Sequence, residues 1–154
     1  MRIKDKILIS IEDSDIVDGH FTIPESVTSI GWGAFANCTS LRSAPAAYKA
    51  FFVNDGEIFA RQNHTYYKVG QKSFALGKLK LCENGLHYCT NIFDIFNYYS
   101  GEYGKDFVIA LCDVSEENVG HGSDSKRCAR WIIPQKILTR EEVIAIMNGE
   151  RNEK

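Results

Sequence analysis

Residues 79–99 constrain the fold most, because strand, turn and helix signals follow one another within this one stretch. In residues 78–82 lysines alternate with leucines, which is typical of a strand with one buried face. Residues 83–85 (Glu-Asn-Gly) predict a turn, and residues 86–89 predict a second strand. The stretch therefore begins with two short neighbouring strands.

A helix is predicted directly after these strands, over about residues 91–100. Thr90 or Asn91 can cap its start. Its apolar side chains form one stripe at helical spacing, Ile92, Ile95, Phe96 and Tyr99. A last helix is predicted over about residues 140–148, because Thr139 followed by Glu142 matches a capping box. Both helices are expected to dock on a sheet.

Strand signals fill most of the chain between residues 48 and 133. Asn54, Asp55 and Gly56 separate two apolar runs, and Asp-Gly is a strong signal for a β-hairpin. Residues 65–69, 107–114 and 127–133 are further strand-like runs. We expect these strands to form a mixed or antiparallel sheet.

The N-terminal part carries a different pattern. Residues 4–10 predict one or two helical turns. Residues 23–41 read IPESVTSIGWGAFANCTSL, which resembles a single repeat of the BspA-like leucine-rich repeat family. The resemblance, which extends over residues 19–47, implies a solenoid coil with these side chains inside: Ile23, Val27, Ile30, Phe35, Cys38 and Leu41. One repeat cannot bury its own apolar face, so we expect it to cap the domain that follows.

Composition limits the classes of protein that need to be considered. A chain of 154 residues with 44% hydrophobic side chains can bury one good core. Its net charge of −2 gives no global reason to expect nucleic acid or a membrane as partner. No run approaches the roughly 18 apolar residues of a membrane span. The five cysteines are odd in number and lie mostly in strand-like runs, so reduced thiols and a cytoplasmic location are expected.

Two groups of residues could carry cysteine chemistry. Cys82, His87 and Cys89 offer zinc ligands, which Cys112, Cys128 or His121 could complete, but the paired spacing of structural zinc sites is missing. Cys128 lies between Arg127 and Arg130 and is the best candidate for a reactive thiol, with His64, His87 or His121 as base. Burial within a strand explains these residues equally well, and we predict no metal, cofactor or catalytic residue.

A third possibility is contact with nucleic acid. Residues 59–82 contain no acidic side chain, and aromatic residues are interleaved with the basic ones. The basic residues are Arg61, Lys68, Lys72, Lys78 and Lys80. Such mixtures suit contact with phosphates and stacking on bases. They also suit an ordinary sheet with lysines outside and aromatics inside.

From Lys49 onward the chain resembles an uncharacterised domain that is common in phages and gut bacteria. The resemblance covers residues 48–148 and rests mainly on YKAF at 48–51 and the segment 80–99, with CAR at 128–130 and the acidic helix at 141–146 as further matches. No activity is established for that domain. Residues 85–91 and the helix after them also resemble a strand and helix of ADP-ribosyltransferases, which would imply Glu116 or Glu117 as the late acidic residue.

The sequence thus predicts an α+β protein, with a leucine-rich-repeat-like cap at residues 1–47 packed on a two-helix sheet domain at residues 48–154. The two resemblances imply the expected function, because leucine-rich repeats of this kind present surfaces for protein recognition and the second domain is common in phages. That function is protein binding, as an inhibitor encoded by a phage or mobile element against a host protein such as a defence nuclease. The predicted contact residues are Trp32, Arg61, Tyr66, Tyr67 and Lys68. Trp32 could instead be buried at the junction of the two parts. An ADP-ribosyltransferase-like enzyme and a nucleic-acid-binding protein are the alternatives; an enzyme should show a concave pocket with convergent polar groups, and a binder should show exposed aromatics.

Overall fold

The computed structural model describes residues 1–17, 21–36, 38, 41, 46–60, 65–120 and 124–149. Within these residues the chain forms thirteen strands, two α-helices and one short 3-10 turn at Asp13–Asp15. The strands are arranged in two sheets, one of four strands and one of nine.

The small sheet is built mainly by the N-terminal part. Strands β1 (Arg2–Lys4) and β2 (Ile7–Ser10) form an antiparallel hairpin, which corrects the prediction of a helix at residues 4–10. Strand β3 (Ser29–Ile30) runs parallel to β2, and β9 (Gly101–Glu102) pairs antiparallel with β3. Because β2 gains partners that are distant in sequence, its backbone is satisfied as a strand.

The large sheet is made of β4 (Ala47–Asn54), β5 (Glu57–Ala60), β6 (Thr65–Tyr67), β7 (Ser73–Phe74), β8 (Leu86–Cys89), β10 (Phe107–Val114), β11 (Asn118–Gly120), β12 (Lys126–Ala129) and β13 (Trp131–Ile137). Its strand order is β11-β12-β8-β4-β10-β13-β7, and β5 and β6 extend from β4. All pairings in it are antiparallel. The central strand β10 is buried along its first half.

The predicted hairpin is confirmed between β4 and β5. Asn54 pairs with Glu57, so the loop has two residues. Asp55 and Gly56 have φ angles of 51° and 78°, the left-handed values that match such a turn to the twist of the strands.

Both predicted helix starts are confirmed, but one helix is much shorter than expected. Helix α1 is Ile92–Ile95, and the Asn91 side chain accepts a hydrogen bond from the Phe93 N–H. Helix α2 is Arg140–Met147, and Thr139 and Glu142 form the capping box. The strand predicted at residues 78–82 is absent from the described chain, because a tight turn brings the Lys80 N–H to the Asn84 carbonyl at 2.8 Å.

The predicted α+β class, with a leucine-rich-repeat-like cap on a two-helix sheet domain, is therefore wrong. Of the described residues, 44% lie in strands and 11% in helices, so the protein is mostly β. The N-terminal helix turned out to be a hairpin, and α1 has one turn. The apolar stripe of residues 92–99 is still buried or half-buried, since side chains pack from the turns after α1 as well as from the helix.

Residues 21–36, 38 and 41 share one hydrophobic core with the second half of the chain. The Phe35 ring lies edge-on to Phe93 at 5.1 Å and to Phe96 at 5.6 Å between centroids. Arg140 donates a hydrogen bond to the Val27 carbonyl, which ties α2 to the same segment. The boundary near residue 47 stays a prediction, and the core extends across it.

Phe35→Ala should lower the free energy of unfolding by about 3–5 kcal/mol, because it leaves a cavity between the N-terminal segment and α1. Trp32→Ala removes an exposed ring from the same loop and should change the free energy by no more than about 0.5 kcal/mol. Urea unfolding followed by circular dichroism measures both values. Equal losses in the two variants would contradict the packing described here.

Candidate functional site

A cleft opens where the large sheet divides. Along one edge of β4, Tyr48 pairs with Cys89 of β8. Further along the same edge, β4 pairs with β5 from Phe52 to Asn54. Between these pairings β8 and β5 separate, and α1 with the turn after it covers the gap. The resulting cavity has a volume of about 320 Å³ and is lined by Tyr48, Lys49, Ala50, Phe52, Ala60, His87, Tyr88, Cys89, Ile95, Tyr98, Tyr99 and Lys126.

Lys49 is a buried cation in the wall of this cleft. Its side chain comes from β4, the residue is only 6% exposed, and Nζ donates a hydrogen bond of 2.6 Å to the His87 carbonyl on β8. The rings of Phe51 and Tyr67 lie 5.5 and 5.9 Å from Nζ. Among the described residues no carboxylate forms an ion pair with Lys49. The pKa of Lys49 is lowered to about 8, chiefly by burial and in the same direction by the charge of Lys126, while Cys112 and Cys89 act to raise it.

Lys126 supplies a second ammonium group to the cleft. Its Nζ lies 4.3 Å from the centroid of the Tyr98 ring and 3.4 Å from the Cys82 sulfur. Tyr98 donates its hydroxyl hydrogen to Asp124, whose other oxygen accepts the Lys126 backbone N–H at 2.9 Å. Burial and this hydrogen bond to Asp124 raise the pKa of Tyr98 well above its usual range. Tyr98 is therefore a neutral donor that is already engaged.

His87 is held as a neutral side chain at the edge of the cleft. Its Nε2 accepts a hydrogen bond of 2.7 Å from the Cys82 N–H, which leaves the proton on Nδ1. Burial lowers the pKa of His87 to about 4, and the positive charges of Lys126 and Lys49 act in the same direction. The lone pair that a metal ion would use is therefore occupied.

The cysteines do not form a reactive or metal-binding group in the described chain. None of the five forms a disulfide, and no cluster of three metal-ligating side chains occurs among the described residues, which leave out His64 and His121. Cys128 is 0% exposed, and burial raises its pKa, which is the opposite of what a nucleophilic thiol needs. Burial also raises the pKa of Cys89 and of Cys112 to about 12.

The residues predicted to contact a partner lie in different environments. Trp32 is 75% exposed, which decides between the two positions expected for it, and Tyr66 is 53% exposed. Lys68 is exposed as well, whereas Arg61 lies outside the described residues. Tyr67 was expected at the surface, and this is corrected: it is 5% exposed, because strand alternation turns its ring onto Phe51 at 4.9 Å.

An aromatic row that the sequence analysis missed runs from the cleft to the edge of the sheet. Cross-strand pairing places Phe52 beside Phe59 and Phe59 beside Tyr66, with ring centroids 5.6 and 5.7 Å apart. Tyr99 continues the row on the cleft side, 5.0 Å from Phe52. Counting outward from the two-residue turn at Asp55 would have paired Phe52 with Phe59, so the signal was present in the sequence.

The residues suggested for other activities lie elsewhere. Glu117 forms two hydrogen bonds with the Arg130 guanidinium, at 2.9 and 3.0 Å, and neither it nor Glu116 lines the cleft. The Nζ atom of Lys72 lies 4.2 Å from the centroid of the Trp131 ring.

No helix of the described chain has the length and apolar character needed to span a membrane.

These features define a mostly β protein whose divided sheet forms a cleft with basic and aromatic walls. Residues 46–146 match the family described as "Domain of unknown function (DUF7666)", and the chain belongs to that family. No curated protein and no solved structure matches the chain. The family description assigns no activity, so function has to be argued from the geometry.

The low pKa of Lys49 predicts how stability depends on pH. In the folded protein Lys49 loses its proton near pH 8, but in the unfolded chain it does so near 10.5, so the unfolded state binds more protons between these values. Stability should therefore rise with pH in this window. Relative to Lys49→Met, the wild type should gain about 2 kcal/mol in free energy of unfolding between about pH 7 and pH 9.5.

Urea unfolding of both proteins at the two pH values measures this gain. Lys68→Met, which removes an exposed lysine, is the matched control and should follow the wild type at both pH values. A wild-type-to-Lys49→Met difference that stays constant with pH would contradict the burial of the Lys49 charge.

Proposed function

We propose that this protein is a binding module that recognises another protein through exposed aromatic side chains. The observation that carries the proposal is the aromatic row, in which the half-buried Phe52 and Phe59 lead to the exposed Tyr66 on a strand with an open edge. Within the described residues β6 pairs only with β5, so its outer edge can accept a further strand. Tyrosine and tryptophan contribute large contact areas at low entropic cost and dominate binding hot spots.

Trp32 supplies a second anchor on the N-terminal segment. Its backbone lies between Gly31, whose N–H donates to the Leu8 carbonyl at 2.8 Å, and Gly33, whose N–H donates to the Phe96 carbonyl at 3.2 Å. The loop is thus fixed at both ends while the indole stays exposed. An anchor held in this way loses little freedom when it binds.

The partner we propose is a host protein, for example a defence nuclease, that a phage or mobile element would inhibit. This part rests on the resemblance of residues 48–148 to domains common in phages and gut bacteria. We also propose a cytoplasmic location, which is supported by the five cysteines, none of which forms a disulfide and three of which are buried.

The two alternative functions have less support from the described residues. For an ADP-ribosyltransferase-like enzyme, the candidate Glu117 is paired with Arg130 away from the cleft. For a nucleic-acid-binding protein, the candidate Arg61 lies outside the described residues and the candidate Lys72 already lies over the Trp131 ring, with Nζ 4.2 Å from the ring centroid. The cleft itself does contain convergent polar groups.

Affinity capture from a lysate of gut bacteria tests the proposal. Proteins enriched on the wild type should decrease by about tenfold or more on Trp32→Ala or Tyr66→Ala, because loss of a hot-spot residue costs about 2 kcal/mol or more. Quantitative mass spectrometry gives the enrichment. A captured protein should then bind the purified wild type with the same dependence on Trp32 or Tyr66.

Phe74→Ala is the matched control for this experiment. Phe74 is also an exposed aromatic on an edge strand, but β7 lies across the sheet, beyond β13. Its replacement should leave the captured proteins unchanged. Capture of the same proteins at the same levels by the wild type and all three variants, or of none by the wild type, would count against the proposal.

A further inference from the structure

We propose that the cleft between β4, β8 and the α1 segment binds a small organic anion with a flat apolar body, whose acid group lies between Lys49 and Lys126. An aromatic carboxylate and a nucleoside monophosphate are two ligands with this chemistry. The site shares Phe52 with the aromatic row but does not include the exposed anchors Trp32 and Tyr66, and the proposal does not depend on the protein-binding function.

The first argument is the unbalanced charge of Lys49. A buried ammonium group is costly unless an anion accompanies it, and replacing such a group with an apolar side chain often stabilises a protein. In the described chain Lys49 has a carbonyl acceptor and two aromatic neighbours, but no acid. A bound anion would supply the missing charge, and Lys49 lines the cavity in which that anion would lie.

The second argument is that the charged side chains lining the cleft, Lys49 and Lys126, are both cations. Both also act to lower the pKa of His87, which lies in the same lining. The acids that act on Cys89 in the lining are Asp94 and Asp124, and neither of them lines the cleft. Asp94 accepts the Ser125 N–H at 2.9 Å, and Asp124 accepts from Tyr98 and Lys126.

The third argument is the shape and chemistry of the walls. Tyr48, Phe52, Tyr98 and Tyr99 contribute aromatic surface, and Ile95 contributes aliphatic surface. Ligand cavities in proteins have volumes of about 300–1,000 Å³ and combine apolar walls with a few polar groups. A cavity of about 320 Å³ lies at the small end of that range, which suits a small aromatic molecule with an acidic substituent.

The test uses two fluorescent probes that differ only in an acid group. Anilinonaphthalene sulfonate carries a sulfonate on an aromatic body, and phenylnaphthylamine is the same body without it. The wild type should bind the sulfonate probe at one saturable site. Lys49→Met and Lys126→Met should each weaken that binding by about tenfold or more, because a charge-assisted hydrogen bond is lost. Binding of the uncharged probe should change less than about twofold in the same variants.

Lys68→Met is the control, because Lys68 is exposed and does not line the cleft; it should bind both probes like the wild type. The proposal is overturned if the sulfonate probe binds equally to wild type, Lys49→Met and Lys126→Met, or if both probes weaken together. Cooperative urea unfolding of each variant shows that the probes report on a folded protein.

A measurement on the wild type alone keeps the test decisive if Lys49→Met does not fold. Between about pH 7 and pH 9.5 Lys49 loses most of its charge, so affinity for the sulfonate probe should fall by about tenfold while affinity for the uncharged probe stays constant. Equal affinity for the sulfonate probe at both pH values would overturn the proposal.

Competition then identifies the acid. Benzoate and adenosine monophosphate are added to the complex with the sulfonate probe, and inorganic phosphate is the third competitor. Displacement of the sulfonate probe by benzoate or by adenosine monophosphate, at a lower concentration than inorganic phosphate requires, supports the proposal. Comparison of these two competitors distinguishes carboxylate from phosphate ligands. Displacement by neither, or by phosphate at the same concentration, overturns the proposed ligand class.

Discussion

The pairing of β4 is the constraint on which the rest of the structure depends. One side of this strand pairs with β10 from residue 47 to residue 52, and the other side is shared between β8 and β5. A strand has room for one neighbour on each side at any position, so β8 and β5 must separate between their contacts with β4. The separation produces the cleft. The same strand starts the aromatic row, since Phe52 lies where the pairing with β5 begins.

Lys49 lies in the part of β4 where β8 and β5 separate, and its side chain reaches β8. Its hydrogen bond to the His87 carbonyl connects β4 and β8 beyond the point where their backbones pair. An uncharged side chain of similar length would fill the space without the desolvation of an ammonium group. The wall of the cleft thus contains a buried ammonium group that lowers stability, which is typical of positions where function opposes stability. This is the physical reason why the cleft, rather than any of the cysteines, is the strongest candidate for a small-molecule site.

The N-terminal segment packs against the α1 segment, which lines the cleft. Phe35 packs on Phe93 and Phe96, and the Gly33 N–H donates to the Phe96 carbonyl. These contacts fix the short helix α1 and the turn after it, from which Ile95, Tyr98 and Tyr99 face the cleft. A helix of one turn has little stability of its own, so its position depends on this packing. The two parts of the chain are therefore connected energetically, and the exposed Trp32 lies in the loop that makes the connection.

Local signals in the sequence determined the Asp55-Gly56 hairpin, the Asn91 cap, and the capping box of Thr139 and Glu142. Each depends on backbone angles or side-chain character that neighbouring residues fix. The resemblance to a leucine-rich repeat implied six inward side chains, of which Ile30 is half-buried and the other five are buried: Ile23, Val27, Phe35, Cys38 and Leu41. Only the tertiary structure decided that residues 7–10 form a strand, that residues 78–82 turn, that Tyr67 is buried beside an exposed Tyr66, and that Lys49 lies in a cleft. These outcomes depend on partners far away in the chain, such as β3 for β2 and β8 for β4. Pattern within a short window does not specify which distant strand supplies the missing hydrogen bonds, and that choice decided both the mostly β class and the site.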